Sequence, residues 1–332
     1  MAFFGLLAGW WLALSPVLAQ DEEGLQVSPK SFVIMDAKSG QILLSLNPQM
    51  FWPPASTLKV MTALAVVRHL KMDDTVPVSA YAASAPPSKI KVKPGESYTV
   101  REMLYALLLS SANDAARALA ERVSGSEEEF ARQATREVRQ LGAYRTTLAT
   151  ANGLPADNQF STAEDLAKLF RKAMENPDLA KIMQTKYYTI KGDRELRNHN
   201  RFLFTTPLAV AGKTGYTRAS KHTYVGMFHK DDKAIIVAIM GSSKRWADLR
   251  ALIEKGFELE GTPIAKLPPV EEKLYFGKDG VVTFAARKSK RTKVGMGSAG
   301  CPPKKKAISR KKSRQREEDT GGENFNSSQG VI

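Results

Sequence analysis

Cysteine is all but missing: of 332 residues, only Cys301 carries a thiol. No disulfide can form within the chain and no thiolate cluster can hold a metal, so a core must supply the stability. Histidine is scarce as well, with four in total. His199, His222 and His229 share no ligand-type spacing with a carboxylate, and His69 sits in an apolar run, so neither a metal nor another cofactor is expected. Acidic residues are absent from Arg287 to Arg316, where thirteen Lys or Arg stand. The net charge is +15, and that one segment accounts for all but +2 of it. The basicity therefore belongs to a tail, and it gives no reason to expect the folded part to bind nucleic acid.

Charge of either sign is also lacking in the first twenty residues, MAFFGLLAGWWLALSPVLAQ. The apolar stretch from Ala2 to Leu14 is shorter than the ~20 residues a membrane span needs. Val17 and Ala19 suit a signal-peptidase cut after Ala19. Residues 1–19 thus read as a signal peptide, with an uncleaved anchor as the other reading. The protein is expected to be exported, to a periplasm or the outer face of the cytoplasmic membrane.

What is present begins with two strand-like runs, about 32–36 and 41–46, joined by a turn at Gly40. A helix opened by Ser56 follows, apolar over most of its circumference from Val60 to Leu70, as a helix buried in a core would be. Thr99-x-x-Glu102, Ser126-x-x-Glu129 and Ser161-x-x-Glu164 each read as a capping box ahead of a helix. Strands return at TYVGMFHK and AIIVAIMG, and a helix from Trp246 to about Leu259 ends at Gly261 and Pro263. Strands at both ends enclose a helical block. The expected fold is α/β of the α+β type, one antiparallel sheet with helices on both faces, because AIIVAIM does not alternate and must be covered on each side. The expected divisions are a catalytic domain over 25–262, a linker or β stub over 263–286, in which LYFGKDGVVTFAAR offers one more hairpin, and a disordered basic tail over 287–332. No internal repeat is present.

Three short motifs occur in order: Ser56-Thr57-Leu58-Lys59, Ser111-Ala112-Asn113 and Lys213-Thr214-Gly215. Singly each is weak. Ser56 is a good helix cap, the same spacing recurs at Ser88/Lys91 and Ser309/Lys312, and Ser45-x-Asn47 also fits the second motif. As a trio they match the pattern of penicillin-binding proteins and class A β-lactamases. The surrounding text, FWPPASTLKVMTA, VKPGESYTVREMLYALLLSSANDAARALAE, ANGLPADNQFSTAEDLAKL and AGKTGYT, resembles the low-molecular-mass penicillin-binding proteins, D-alanyl-D-alanine carboxypeptidases of serine peptidase family S11. The resemblance covers most of residues 31–260 and implies a β-lactamase/transpeptidase-like fold. Ala112 stands where the family often has glycine, and RNHNRFLF only partly matches its Asn-rich segment.

The chemistry accounts for these residue types. A serine hydroxyl is a weak nucleophile near neutrality and needs an adjacent base, and one helical turn puts Lys59 on the face of Ser56. Lysine is a base only when neutral, so its pKa must fall from ~10.4; burial and a second cation, Lys213, both act that way. Ser111 would relay a proton to the leaving amine, and Asn113 can grip a substrate amide through donor and acceptor together. The resemblance implies that Lys213, Thr214 and Gly215 bind the terminal carboxylate end of the substrate. It further implies that the backbone amides of Ser56 and Tyr216 form the oxyanion hole, aided by the helix dipole. The implied substrates are peptidoglycan stem peptides, with β-lactams as inhibitors.

Two other enzymes remain compatible with this pattern. A serine β-lactamase would need a glutamate to position a deacylating water, for which Glu164 is the candidate, and a D,D-endopeptidase would use the same residues. A third reading, from another class, is a non-catalytic wall- or membrane-surface-binding protein whose Arg287–Arg316 segment meets anionic lipid.

Overall fold

The computed structural model describes residues 25–270, with the strand residues 275–276 and 282–283. The proposed signal peptide, the basic tail and Cys301 lie outside the described residues. The chain opens with β1 (Ser31–Asp36) and β2 (Ile42–Leu46), paired antiparallel as the two strand-like runs around Gly40 predict. A tight 3-10 turn, Ala55–Leu58, leads into α1 (Lys59–His69). The helical block comprises α2 (Ala80–Ala83), α3 (Val100–Leu108), α4 (Asn113–Ser124), α5 (Glu127–Gln140), α6 (Ala163–Glu175), α7 (Pro177–Gln184) and, past one hairpin, α8 (Phe202–Thr205). Small antiparallel pairs decorate it: β3 (Thr75–Pro77) with β4 (Ser97–Thr99), and β5 (Tyr187–Ile190) with β6 (Arg194–Arg197). The long strands β7 (Ala209–Thr217), β8 (Lys221–Lys230) and β9 (Lys233–Ser242) precede α9 (Arg245–Leu259). Beyond it, β10 (Tyr275–Phe276) pairs antiparallel with β11 (Val282–Thr283), the hairpin expected in the 263–286 stretch.

The main sheet has the order β2-β1-β9-β8-β7 and is antiparallel throughout. The first hairpin therefore docks on the last strand of the meander, and the helices between them must cross the sheet. Successive residues of a strand face opposite sides, and here both sides are dry. Val33, Met35, Ile236, Ala238 and Met240 enter one core with α1 and α3–α7. Phe32, Ile34, Ile235, Val237 and Ile239 enter another with α8 and α9, against Trp246, Leu249, Ile253 and Phe257. The non-alternating AIIVAIM run is accounted for by this double covering. α1 lies within the first core, with Val60, Met61, Leu64 and Val66 all buried. Each such side chain contributes roughly 1.5–3 kcal/mol by leaving water, so the base of α1 is rigidly anchored.

Three local expectations are corrected. Ser56 does not cap a helix: it is the second residue of the 3-10 turn, which no side chain caps, and α1 starts at Lys59. Pro54 keeps the preceding residues out of the helix, and its carbonyl is held by the hydroxyls of Thr57 (2.5 Å) and Thr223 (2.8 Å). The cap of α6 is Thr162, accepting from the amide of Asp165, not Ser161 with Glu164. Ser161 is drawn one residue away by its backbone bridge to Trp52, and its hydroxyl pairs with Thr146. The box at Thr99 and Glu102 is complete. At Ser126 only the serine half forms, since Glu129 turns to Arg132 at 2.6 Å.

Candidate active site

The three motifs converge from three elements. The 3-10 turn and α1 bring Ser56 and Lys59. The break between α3 and α4 brings Ser111 and Asn113, and the middle of β7 brings Lys213, Thr214 and Gly215. Lys59 is fully buried and Lys213 nearly so, while Ser56 is half-buried. Ser111 stands at φ +58° and Ala55 at φ +49°. Left-handed backbone is unfavourable for residues with a Cβ, and both strained residues sit at the site, the usual place for such strain.

The amine of Lys59 lies 3.1 Å from Ser56 Oγ, 2.8 Å from Asn113 Oδ1 and 2.6 Å from the carbonyl oxygen of Asn152. The two carbonyl oxygens can only accept. A neutral amine has two N–H donors and one lone pair, so once Asn113 and Asn152 take the donors, the lone pair is left facing the Ser56 hydroxyl. Asn113 is oriented for this, because its amide nitrogen donates to Pro86 O at 3.0 Å. Burial pulls the pKa of Lys59 well below the ordinary amine value, and Lys213 pulls it further. Asp114 and Glu127 oppose the shift.

The second lysine is similarly held. Lys213 Nζ donates to Ser111 Oγ and to the Thr214 carbonyl, each at 2.9 Å. Burial, then the charge of Arg245, bring its pKa down to about 7. The Ser111 hydroxyl is thereby tied to the sheet side of the cleft. Gly215 shows why this strand has no side chain at that point: a Cβ there would stand 2.9 Å from the Ser56 amide nitrogen and 3.0 Å from that of Thr57. β7 and the Ser56 backbone are thus in direct apposition, and Tyr216, 37% exposed, follows along the strand. Gly215 pairs with Thr223, so the register of β7 on β8 sets this approach.

Glu164 is elsewhere engaged. Its carboxylate takes Lys168 at 2.6 Å and Gln49 at 3.1 Å. Among the described residues no His, Cys, Asp and Glu cluster of metal-binding type is present, and no helix is long and apolar enough to cross a membrane.

A family model, D-alanyl-D-alanine carboxypeptidase of peptidase family S11, matches residues 18–244. The chain belongs to that family. This S11 peptidase is 34% identical over 241 residues to the D-alanyl-D-alanine carboxypeptidase DacB2 of Mycobacterium tuberculosis, covering 69% of this chain and 82% of the relative. It is 31% identical over 273 residues to DacF of Bacillus subtilis, covering 77% and 70%. Its fold matches the crystal structure of a D-alanyl-D-alanine carboxypeptidase from M. tuberculosis with TM-score 0.68 and 31% identity, over 73% of this chain and 96% of that one. A mutant of Streptomyces K15 DD-transpeptidase matches with TM-score 0.67 and 25% identity, over 70% and 99%.

Three groups near the motif residues of the S11 peptidase escape a motif search. Asn152 acts through its carbonyl, which any residue could supply. Arg245 is buried at the first turn of α9, stacked 4.3 Å over the Trp246 ring. A cation there opposes the helix dipole, and that misplaced charge was the one signal available. His199, which burial and the cations Lys213 and Arg245 bring down to about 3, is kept neutral beside them.

Proposed function

We propose that this enzyme removes the terminal D-alanine from peptidoglycan stem peptides through an acyl-Ser56 intermediate. The observation that carries the reading is the hydrogen-bond pattern of Lys59, which leaves its lone pair for the Ser56 hydroxyl. Ser56 Oγ attacks the carbonyl carbon of the penultimate D-alanine, and its proton passes to Lys59. The developing oxyanion is received by the backbone amides of Ser56 and Tyr216. The C–N bond breaks, the proton held by Lys59 passes through Ser111 to the leaving amine, which leaves Lys59 neutral again, and D-alanine departs. Water then attacks the ester with Lys59 again accepting the proton, and Ser56 is regenerated. Asn113 holds the substrate amide. Lys213, Thr214 and Gly215, reinforced by the charge of Arg245, bind the terminal carboxylate.

A β-lactam presents a comparable amide carbonyl and a carboxylate, so it would acylate Ser56, and because its leaving amine stays tethered in the opened ring the adduct would persist. The engagement of Glu164 with Lys168 and Gln49 favours this over a β-lactamase role. The test is a D-Ala-D-Ala pentapeptide assay for released D-alanine alongside a fluorescent penicillin label. Wild type should release D-alanine and take one stable label, and Ser56→Ala should do neither. Labelling that survives the substitution, or rapid turnover of nitrocefin by the wild type, would overturn the reading.

Export, and contact of Arg287–Arg316 with an anionic membrane surface, belong to the same proposal. Each basic residue near such a surface contributes ~1 kcal/mol. The full chain should bind anionic vesicles at low salt and lose them when cut after Phe284. Binding that persists at about 0.5 M salt, where screening lengths shrink to a few Å, would exclude the electrostatic contact.

A further inference from the structure

Glu127, at the first turn of α5, is a buried carboxylate outside all three motifs. Its Oε1 accepts from the Ala151 amide at 2.9 Å and from Asn152 Nδ2 at 3.2 Å. Its Oε2 accepts from the Tyr81 hydroxyl at 2.6 Å and from Arg117 Nε at 3.1 Å. Burying a carboxylate is unfavourable unless its oxygens are satisfied, and here four donors do so. Two of the four come from the segment whose carbonyl oxygens grip α1 on the other side: Ala151 O accepts from Thr62 and Asn152 O from Lys59. The carboxylate on one side and α1, through Thr62 and Lys59, on the other thus hold the same two residues from opposite directions.

We propose that Glu127 is a positioning residue for the catalytic base, clamping Ala151–Asn152 so that the Asn152 carbonyl occupies one N–H of Lys59 and the lone pair of the amine is directed at Ser56. It touches neither substrate nor nucleophile. Arg117 and Tyr81 orient the carboxylate in turn, and the hydrogen bond to it, after burial, raises the Tyr81 hydroxyl to about 12, so Tyr81 remains a donor. The same carboxylate acts on Lys59 through space. The charged groups working on the amine are Lys213 from β7, which favours the neutral form, and Asp114 from α4 and Glu127 from α5, which favour the ammonium. His199, held neutral, adds no charge.

Clamp and charge can be separated, because Glu127→Gln keeps an oxygen for Ala151 and Asn152 but loses the charge, whereas Glu127→Ala loses both. The inference rests on Lys59 being the base, so Lys59→Ala is measured in parallel. The readout is the acylation rate constant of the full chain with fluorescent penicillin across pH, separated from the affinity of the non-covalent complex. Glu127→Ala should acylate at least tenfold more slowly, with non-covalent affinity within threefold of wild type. Glu127→Gln should move the acid limb of the profile to lower pH, since removing a negative charge lowers the pKa of Lys59. A merely structural role predicts no such displacement. If Lys59→Ala loses acylation while Glu127→Ala acylates within threefold of wild type, the positioning role is wrong, and a wild-type limb in Glu127→Gln removes the through-space action of the carboxylate. If Lys59→Ala acylates normally, the base assignment itself is wrong. Should Glu127→Ala fail to fold, Asn152→Ala takes its place, since it removes the side-chain bond to Glu127 but keeps the carbonyl that meets Lys59: acylation should again slow at least tenfold, and a rate within threefold of wild type overturns the proposal.

Discussion

Replacing Lys59 by arginine is expected to slow acylation of Ser56 by about 10²–10⁴-fold, the range over which a positioned base accelerates proton transfer. Arginine keeps a cation on α1, but its guanidinium cannot give up its proton in a protein. If Lys59 served only to stabilise developing negative charge, the variant would retain much of its rate. The measurement is the second-order acylation rate with a fluorescent penicillin, with circular dichroism confirming the fold. A rate within threefold of wild type would remove Lys59 from its assigned role. The wild-type profile supplies a companion check. Burial and then Lys213 depress the Lys59 pKa, so the neutral amine should persist, and acylation should continue, well below the ~10.4 of a free lysine.

Gly153→Ala is expected to produce the largest loss of stability of any single-methyl change near the site. Gly153 has φ +82°, and a Cβ there would run into the carbonyl oxygen of Ala55 and come within 3.1 Å of Leu58. Ala55 is itself left-handed and precedes the nucleophile, so the turn cannot yield without moving Ser56. Backbone strain and overpacking together amount to about 2–5 kcal/mol. Thermal denaturation should show the midpoint falling by roughly 5–20 °C, with acylation falling as well because the clash displaces Ser56. A midpoint within 2 °C of wild type, about 1 kcal/mol for a domain of this size, would mean the loop relaxes freely.

The architecture was legible because burial on both faces leaves a distinctive mark. AIIVAIM is continuous where a one-sided strand would alternate, and the two cores behind Ile235 and Ile236 explain it. The motif residues were legible because side-chain chemistry restricts them to Ser, Lys and Asn. What the sequence did not show depends on distance through space. Ser56 looked like a cap because capping and nucleophilic turns favour the same residue. Only the hold of Thr57 and Thr223 on Pro54 O shows that the helix begins three residues later. Ser161 and Thr162 are equally good caps, and a backbone bridge to Trp52 decided between them. Asn152 and Glu127 could not have been found by spacing, since one contributes a carbonyl and the other acts from 25 residues earlier in the chain.

β7 ends the sheet, so one side of its backbone has no strand partner among the described residues. Such an edge is a template on which another copy can grow, and proteins guard it with inward charge and bulges. Both guards are present here, in a register shift between Ala209 and Ala211 and a lysine, Lys213, buried midway along the strand. The strand edge beside the proposed site is therefore also a point of vulnerability to aggregation. By the same rule the residue assigned to carboxylate recognition doubles as an edge guard, so substitutions at Lys213 chosen for activity are expected to carry a second effect on self-association at high concentration.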